Sequence, residues 1–283
     1  MLLGIGSLIV LSCIFVTFAA IGGHLAVLWQ PGEVVMIIGS GIGAFIITNP
    51  IHVLKKIPKA FGTIASGGSV KGPEYLELLT MLFSVFKLAK TKGALALEAH
   101  IEKPYESDLF EKFPKFLKDH HAVEFFCDYM RMMTMGSEDP HKMADLMEEE
   151  LDVHHHELEE VSGAIQTLGD GLPALGIVAA VLGVIHTMGS INQPPDVLGY
   201  LIGAALVGTF LGIFVSYGFV SPMAGSLKGI YASESRYYQC IKSGILAYMS
   251  GEAPVISVEF ARKSIESVYR PSFYDVEKAL EEL

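Results

Sequence analysis

Three consecutive histidines, His154, His155 and His156, form the densest cluster of potential metal ligands in the chain. Successive side chains on a helix point about 100° apart, so three in a row cannot converge on one ion. Beside Glu148, Glu149, Glu150 and Glu157 they read as a solvated polar face, and no metal or organic cofactor is expected. The thiols of Cys13, Cys127 and Cys240 are too far apart in sequence to imply a disulfide framework or a thiolate metal site. The hydroxyls of Ser7, Thr17 and Ser40 have no evident base. A catalytic site needs a nucleophile with its base, or a metal cluster, so the chain is not expected to be an enzyme.

The remaining chemistry lies in apolar runs. Thr209 sits one position beside a stripe of small residues, Ala204, Gly208, Gly212 and Ser216, whose four-residue spacing puts them on one helix face. Tyr217 follows eight positions beyond Thr209. A second run carries Gly176, Ala180 and Gly183, and a third carries Gly39, Gly43 and Ala44. Each face alone is ordinary intramembrane packing, and several together predict close packing in an oligomer. No Asp, Glu, Lys or Arg is expected inside any membrane span, so a cation crossing here must be held by a carboxylate from another chain. His186 reads as a neutral imidazole bonded to a neighbouring helix, and the Thr209 hydroxyl as bonded back to its own helix.

Charge distribution tells which elements position these groups. All 20 Lys and Arg fall in two segments, 13 in residues 51–169 and seven in residues 223–283. Positive charge accumulates on the cytoplasmic side of an inserted protein. The pattern predicts an all-α polytopic membrane protein. Residues 1–50 carry two transmembrane helices, about 2–21 and 33–49, and residues 170–221 carry two more, about 172–190 and 197–220. Residues 51–169 form a helical cytoplasmic domain, 222–283 a cytoplasmic helical tail, and both termini are cytoplasmic. The net charge of −11 argues against nucleic acid as a partner. The first run lacks the basic leader of a signal peptide and reads as a retained helix. Pro31, Gly32 and Glu33 open the second helix, with a carboxylate near its positive end.

Within the polar segments, Tyr75, Leu78, Leu79, Leu82, Phe83 and Phe86 recur at helical spacing. Further helices are predicted over about 105–118 and 121–135. Ser137 is placed as the cap of a long acidic helix running toward Leu168, and Asp170-Gly171 as the return to the membrane. Pro173 and Pro222 are expected at helix ends, where proline is tolerated. The tail predicts a helix over 224–249, a break at Gly251–Pro254, and a last helix from Ser272.

The runs LGDGLPALGIVAAVLGVIHTMGS and LVGTFLGIFVSYGFVSP resemble the paired third and fourth spans of the MotA family of flagellar stator proteins. AHIEKPYES, APVISVEFARKS and YRPSFYDVEKAL extend the resemblance over essentially the whole chain. It implies a non-enzymatic, ion-driven subunit of the bacterial inner membrane. Copies would form a ring, five in characterised members, around two copies of MotB. MotB would supply the ion-carrying Asp, and the ring would drive the rotor protein FliG. Ala180 and Thr209 would line the ion path facing that Asp, with Tyr217 on the same helix a weaker candidate. Pro173 and Pro222 would couple ion passage to cytoplasmic movement, and Lys90 and Glu98 would contact the rotor. Lys90 stands where the family has Arg, keeping the charge and losing the planar fork. On one helix, eight residues would set Lys90 and Glu98 about 80° and about 12 Å apart.

Sodium-driven members carry Thr at the positions of Ala180 and Gly208. Stripping sodium of water requires replacement oxygens, and Thr209 alone supplies a hydroxyl here, so the coupling ion is expected to be H+ rather than Na+. The rival within the wider superfamily is an ExbB/TolQ-type energiser of outer-membrane processes, whose chains have three spans and an outside N-terminus. A solute transporter would show repeated halves with broken helices at mid-membrane, a pattern absent from this sequence.

Overall fold

Each uncharged run folds as a helix, the form that satisfies a chain's own backbone groups in an apolar medium. The computed structural model describes residues 2–68, 70–136 and 139–282, and every regular element among them is helical. Helix α1 covers residues 2–20 and α2 residues 31–48, each interrupted by one π-helical turn, Ser12–Val16 and Val35–Gly39. Pro31 is the first residue of α2, where its missing N–H is not needed. Helix α3 (Ile51–Ser66) ends at Gly67, whose φ of +76° suits a residue without a Cβ. Then follow α4 (Gly72–Lys92), α5 (His120–Thr134), α6 (Pro140–Met188), α7 (Pro195–Met249), α8 (Pro254–Ser264) and α9 (Phe273–Glu281). Among the described residues, four stretches are long and apolar enough to cross a membrane: Leu3–Ala20, Leu25–Thr48, and parts of α6 and α7.

Several expected boundaries are absent. Helix α6 runs without a break through Asp170-Gly171 and Pro173, and α7 runs through Pro222. Gly169, just ahead of them, is a packing position, since a Cβ there would lie 2.7 Å from Ser221 Oγ, whereas a Cβ on Gly171 would meet nothing within 4 Å. Pro222 is accommodated by a π-helical turn, Ser216–Val220, immediately before it. Residues 105–118 do not form a helix. Pro104 and Pro114 open separate short turns, Pro104–Glu106 and Pro114–Leu117. Between them Ser107 Oγ accepts from the amides of Leu109 (3.2 Å) and Phe110 (3.3 Å), a local alternative to helix bonding. Ser137 lies outside the described residues. At the start of α6, Asp139 Oδ1 accepts from the amides of His141 and Lys142.

The chain divides into two compact units. The first comprises the chain up to Gly68 together with Glu157–Ile230. Its core is small: Ile37, Leu172 and Ala179, with Leu168, Leu175 and Leu211 against them. Leu8, Val16, Ile47, Ile185 and Leu206 are exposed, as a lipid-facing or copy-facing surface requires. Lys56 pairs with Glu157 at 2.8 Å and Lys228 with Glu159 at 3.3 Å.

The second unit comprises the chain from there to His156, and Tyr231 onward. Its core is the apolar face of α4, where Tyr75, Leu78, Leu79, Leu82 and Phe86 are fully buried, packed with α5, α8 and the later part of α7. Glu77 Oε1 accepts from the amides of Lys115 and Phe116, satisfying donors at the start of the Pro114–Leu117 turn. Arg262 makes a two-pronged bond to Glu259, 2.7 Å on each arm, and donates to Pro271 O at 2.9 Å. Ser272 caps α9 with Asp275 in reciprocal bonds.

Candidate functional site

Helices α6 and α7 meet through glycine. A Cβ on Gly176 would lie 2.8 Å from Gly208 O, and one on Gly212 would lie 2.6 Å from Leu172 O. Real side chains never approach backbone that closely, so these positions set the helix separation. Gly208, Gly212 and Ser216 of the stripe on α7 are thus packed on α6, the ordinary intramembrane packing expected of such a face taken alone. Gly39 of α2 meets nothing within 4 Å, whereas Gly41 packs on Leu172.

Ala180 and Thr209 flank this crossing. Ala180 is buried, and a Cβ on Gly208 would come within 3.2 Å of the Ala180 amide nitrogen. Thr209 is half-buried, and its hydroxyl makes no hydrogen bond among the described residues, in contrast to the expected bond to its own helix. Thr187 does bond back, to Gly183 O at 2.9 Å. Tyr217 is 64% exposed, while its neighbour Ser216 is fully buried. Tyr217 lies about two helical turns of rise beyond Thr209 on α7. His186 is exposed and makes no bond to a neighbouring helix among the described residues.

One group was missed. Glu33, read as a favourable charge at the positive end of α2, lies inside the apolar stretch Leu25–Thr48 and is only 8% exposed. Its Oε2 has no hydrogen-bond partner among the described residues. The spans are therefore not free of acid. The signal in the sequence was that Glu33 is the one acid in residues 1–50, directly ahead of an apolar run.

Pro173 and Pro222 sit inside helices rather than at their ends. Proline at 173 cannot donate to the carbonyl of Gly169, four residues earlier. Ser216 Oγ supplies that bond instead, at 2.6 Å and fully buried. Gln166 reaches both Asp170 (2.7 Å) and Ser221 (3.4 Å) beside it.

Lys90 and Glu98 are both exposed but do not share a helix. Helix α4 stops at Lys92, Gly93 turns the chain at φ +86°, and Glu98 begins a separate short helix, Glu98–Ile101. The single-helix spacing of about 80° and about 12 Å therefore does not apply. The three histidines diverge. His154 packs 5.5 Å from His121 and 5.1 Å from Tyr238, His155 bonds Ser235 at 3.1 Å, and His156 is exposed. They are not a uniformly solvated face. Neighbouring acids are engaged too: Glu148 with Lys242, and Glu150 with the Tyr129 hydroxyl at 2.6 Å. The Lys242 hydrogen bond holds the Glu148 carboxyl below its ordinary range. Burial pushes the Cys127 and Cys240 thiols up to about 12, which makes them inert packing groups.

Two apolar helices closed on glycine, a polar seam beside them and a separate helical unit define a membrane protein organised around a helix crossing. The model for "Motility protein A N-terminal" matches residues 4–93, and that for the "MotA/TolQ/ExbB proton channel family" matches residues 118–240. Motility protein A of Salmonella typhimurium is 40% identical over 98% of this chain and 94% of its own length. Among solved structures, the flagellar MotAB stator complex from Bacillus subtilis matches with a TM-score of 0.75 at 26% identity, covering 97% of this chain and 98% of that one. C. jejuni MotAB shares the fold with a TM-score of 0.78 at 19% identity, covering 95% and 97%. The chain belongs to the motility protein A family. It is a flagellar stator subunit, a non-enzymatic membrane component of the motor.

Proposed function

We propose that this chain is the ring-forming subunit of a proton-driven stator in the bacterial inner membrane, with four spans and both termini cytoplasmic. Five copies surround two copies of MotB, whose one-span helices each bring the ion-carrying Asp. The seam beside the glycine crossing is the surface that meets that Asp. Ala180 lines it without an oxygen, and Thr209 offers a hydroxyl that makes no hydrogen bond among the described residues. That pairing is the observation that carries the reading. One hydroxyl suffices to orient water for proton transfer but not to replace the shell of a sodium ion.

Pro173 and Pro222 lie inside α6 and α7 and transmit the change in the seam to the second unit. Lys90 and Glu98, exposed on separate elements, contact FliG as independent charges. The B. subtilis relative was solved as a MotAB complex, which supports MotB as the partner.

The test is a tethered-motor assay on cells carrying this chain and its one-span partner. Rotation should persist when sodium is removed and stop when the proton gradient is collapsed. Rotation that stops with sodium removal, the proton gradient being intact, defeats the assignment of the ion.

A further inference from the structure

Glu33 is a carboxyl in an apolar setting, and the residues against it are small rather than charged. A Cβ on Gly208 would lie 2.5 Å from its Oε2, and one on Gly183 would lie 3.6 Å from its Oε1. The carboxyl fills a gap left by two glycines, one on α6 and one on α7. Gly208 adjoins Thr209 in sequence and the Ala180 amide in space. It lies about 20 Å along α7 from Pro195, well inside the apolar stretch. The acid of α2 therefore stands at the level of Ala180 and Thr209.

This chain offers it no counter-charge there, since residues 1–50 and 170–221 hold neither Lys nor Arg. The titratable side chains on the elements packed around it are His24 before the 25–28 turn, His186 on α6, and Asp196 and Tyr200 at the start of α7. All four are exposed. A carboxyl buried without a partner needs a proton or a cation, and in a membrane span such a group marks an ion pathway.

We propose that Glu33 is a second proton-binding carboxyl of the ion path, carried by this chain rather than by its partner. The proposal rests on the proton-driven reading above. Hydronium on the outer side gives up a proton as an O–H bond forms at Glu33 Oε2, leaving water. That O–H bond then breaks as the proton passes, through intervening water, to the carboxylate of the partner's Asp, which becomes the neutral acid.

The test uses the complex purified with its one-span partner and placed in lipid, followed by infrared difference spectroscopy across a pH titration. Glu33→Gln keeps the shape and removes the acid. One protonated-carboxyl carbonyl band should vanish in E33Q and remain, shifted, in Glu33→Asp. In cells, E33Q motors should lose the dependence of rotation speed on external pH that the wild type and E33D retain. An unchanged band set in E33Q, or an unchanged speed-against-pH curve, overturns the proposal. A wild-type motor that runs on sodium fails the reading of the preceding section, and that outcome is visible without any Glu33 variant.

Discussion

Ser216 on α7 donates a buried 2.6 Å hydrogen bond to the carbonyl of Gly169 on α6, the acceptor that Pro173 leaves without its helical donor. A kink-prone proline is thus tied to the neighbouring helix at the position where its own helix cannot complete the ladder. Ser216 also opens the π-helical turn that precedes Pro222, so both prolines share one polar joint.

Removing the Ser216 hydroxyl should leave the Gly169 carbonyl buried and unpaired. Ser216→Ala is expected to destabilise the detergent-solubilised protein by about 1–2 kcal/mol, in the range for interhelical bonds in membranes. Pro173→Ala restores an N–H that can bond the same carbonyl, so Ser216→Ala should cost far less in that background. Thermal unfolding of the two single variants and the double variant reads the coupling, and simple additivity would refute it.

Glycine at the α6–α7 crossing should not tolerate a methyl group. Gly176→Ala and Gly212→Ala put a Cβ against backbone carbonyls, at 2.8 Å and 2.6 Å, which no side-chain rotation relieves. Each is expected to cost about 1–3 kcal/mol, as overpacking does. Gly39→Ala, with nothing within 4 Å, is the control and should unfold like the wild type in the same thermal assay.

Elements governed by local pattern were legible, and elements governed by contacts distant in sequence were not. The buried face of α4, from Tyr75 to Phe86, follows directly from spacing, because one helix face of apolar residues has one stable fate. The start of the last helix at Ser272 was equally local, though that Ser272 caps it rather than opens it shows only in the structure. The continuity of α6 and α7 was hidden, since Gly171, Pro173 and Pro222 are helix breakers on propensity alone. Their cost is met by packing and by the Ser216 bond, which lie 43 to 47 residues away or on another helix. Glu33 was visible as an acid, but its burial depends on Gly183 and Gly208, far along the chain. For Lys90 and Glu98 the error was local: Gly93 ends α4 between them, and its conformation, φ +86° and ψ 157°, requires glycine.

The Arg262–Glu259 pair should make the second unit sensitive to acid. The Arg262 hydrogen bonds hold the Glu259 carboxyl below its ordinary range despite partial burial. A folded-state value below the unfolded one means the stabilisation is complete above the unfolded carboxyl range and lost as pH falls through the folded value. Arg262→Met should remove that acid-side slope and also leave Pro271 O without its 2.9 Å donor. A loss of about 1.5–3 kcal/mol at neutral pH is expected, the range for charged hydrogen bonds. Unfolding curves taken from pH 7 down to buffer below the ordinary carboxylate range would show the wild type converging on the variant only at the acid end, and parallel curves would count against the pair.

Gly93 is where geometry and rotor contact can be separated from charge. Gly93→Ala forces a side chain into a backbone region that glycine alone occupies readily, at a cost of about 1–3 kcal/mol. It should reorient Glu98 relative to Lys90 while leaving both charges in place. Lys90→Arg keeps charge and should preserve swimming, and Glu98→Lys reverses a charge and should impair it. If the two groups act as independent point charges on the rotor, G93A variants will swim with intermediate speed, and stator recruitment to the motor will match the wild type. A G93A motor as fully stalled as E98K, with the protein still folded by limited proteolysis, would mean that the rotor reads Lys90 and Glu98 as one rigid surface.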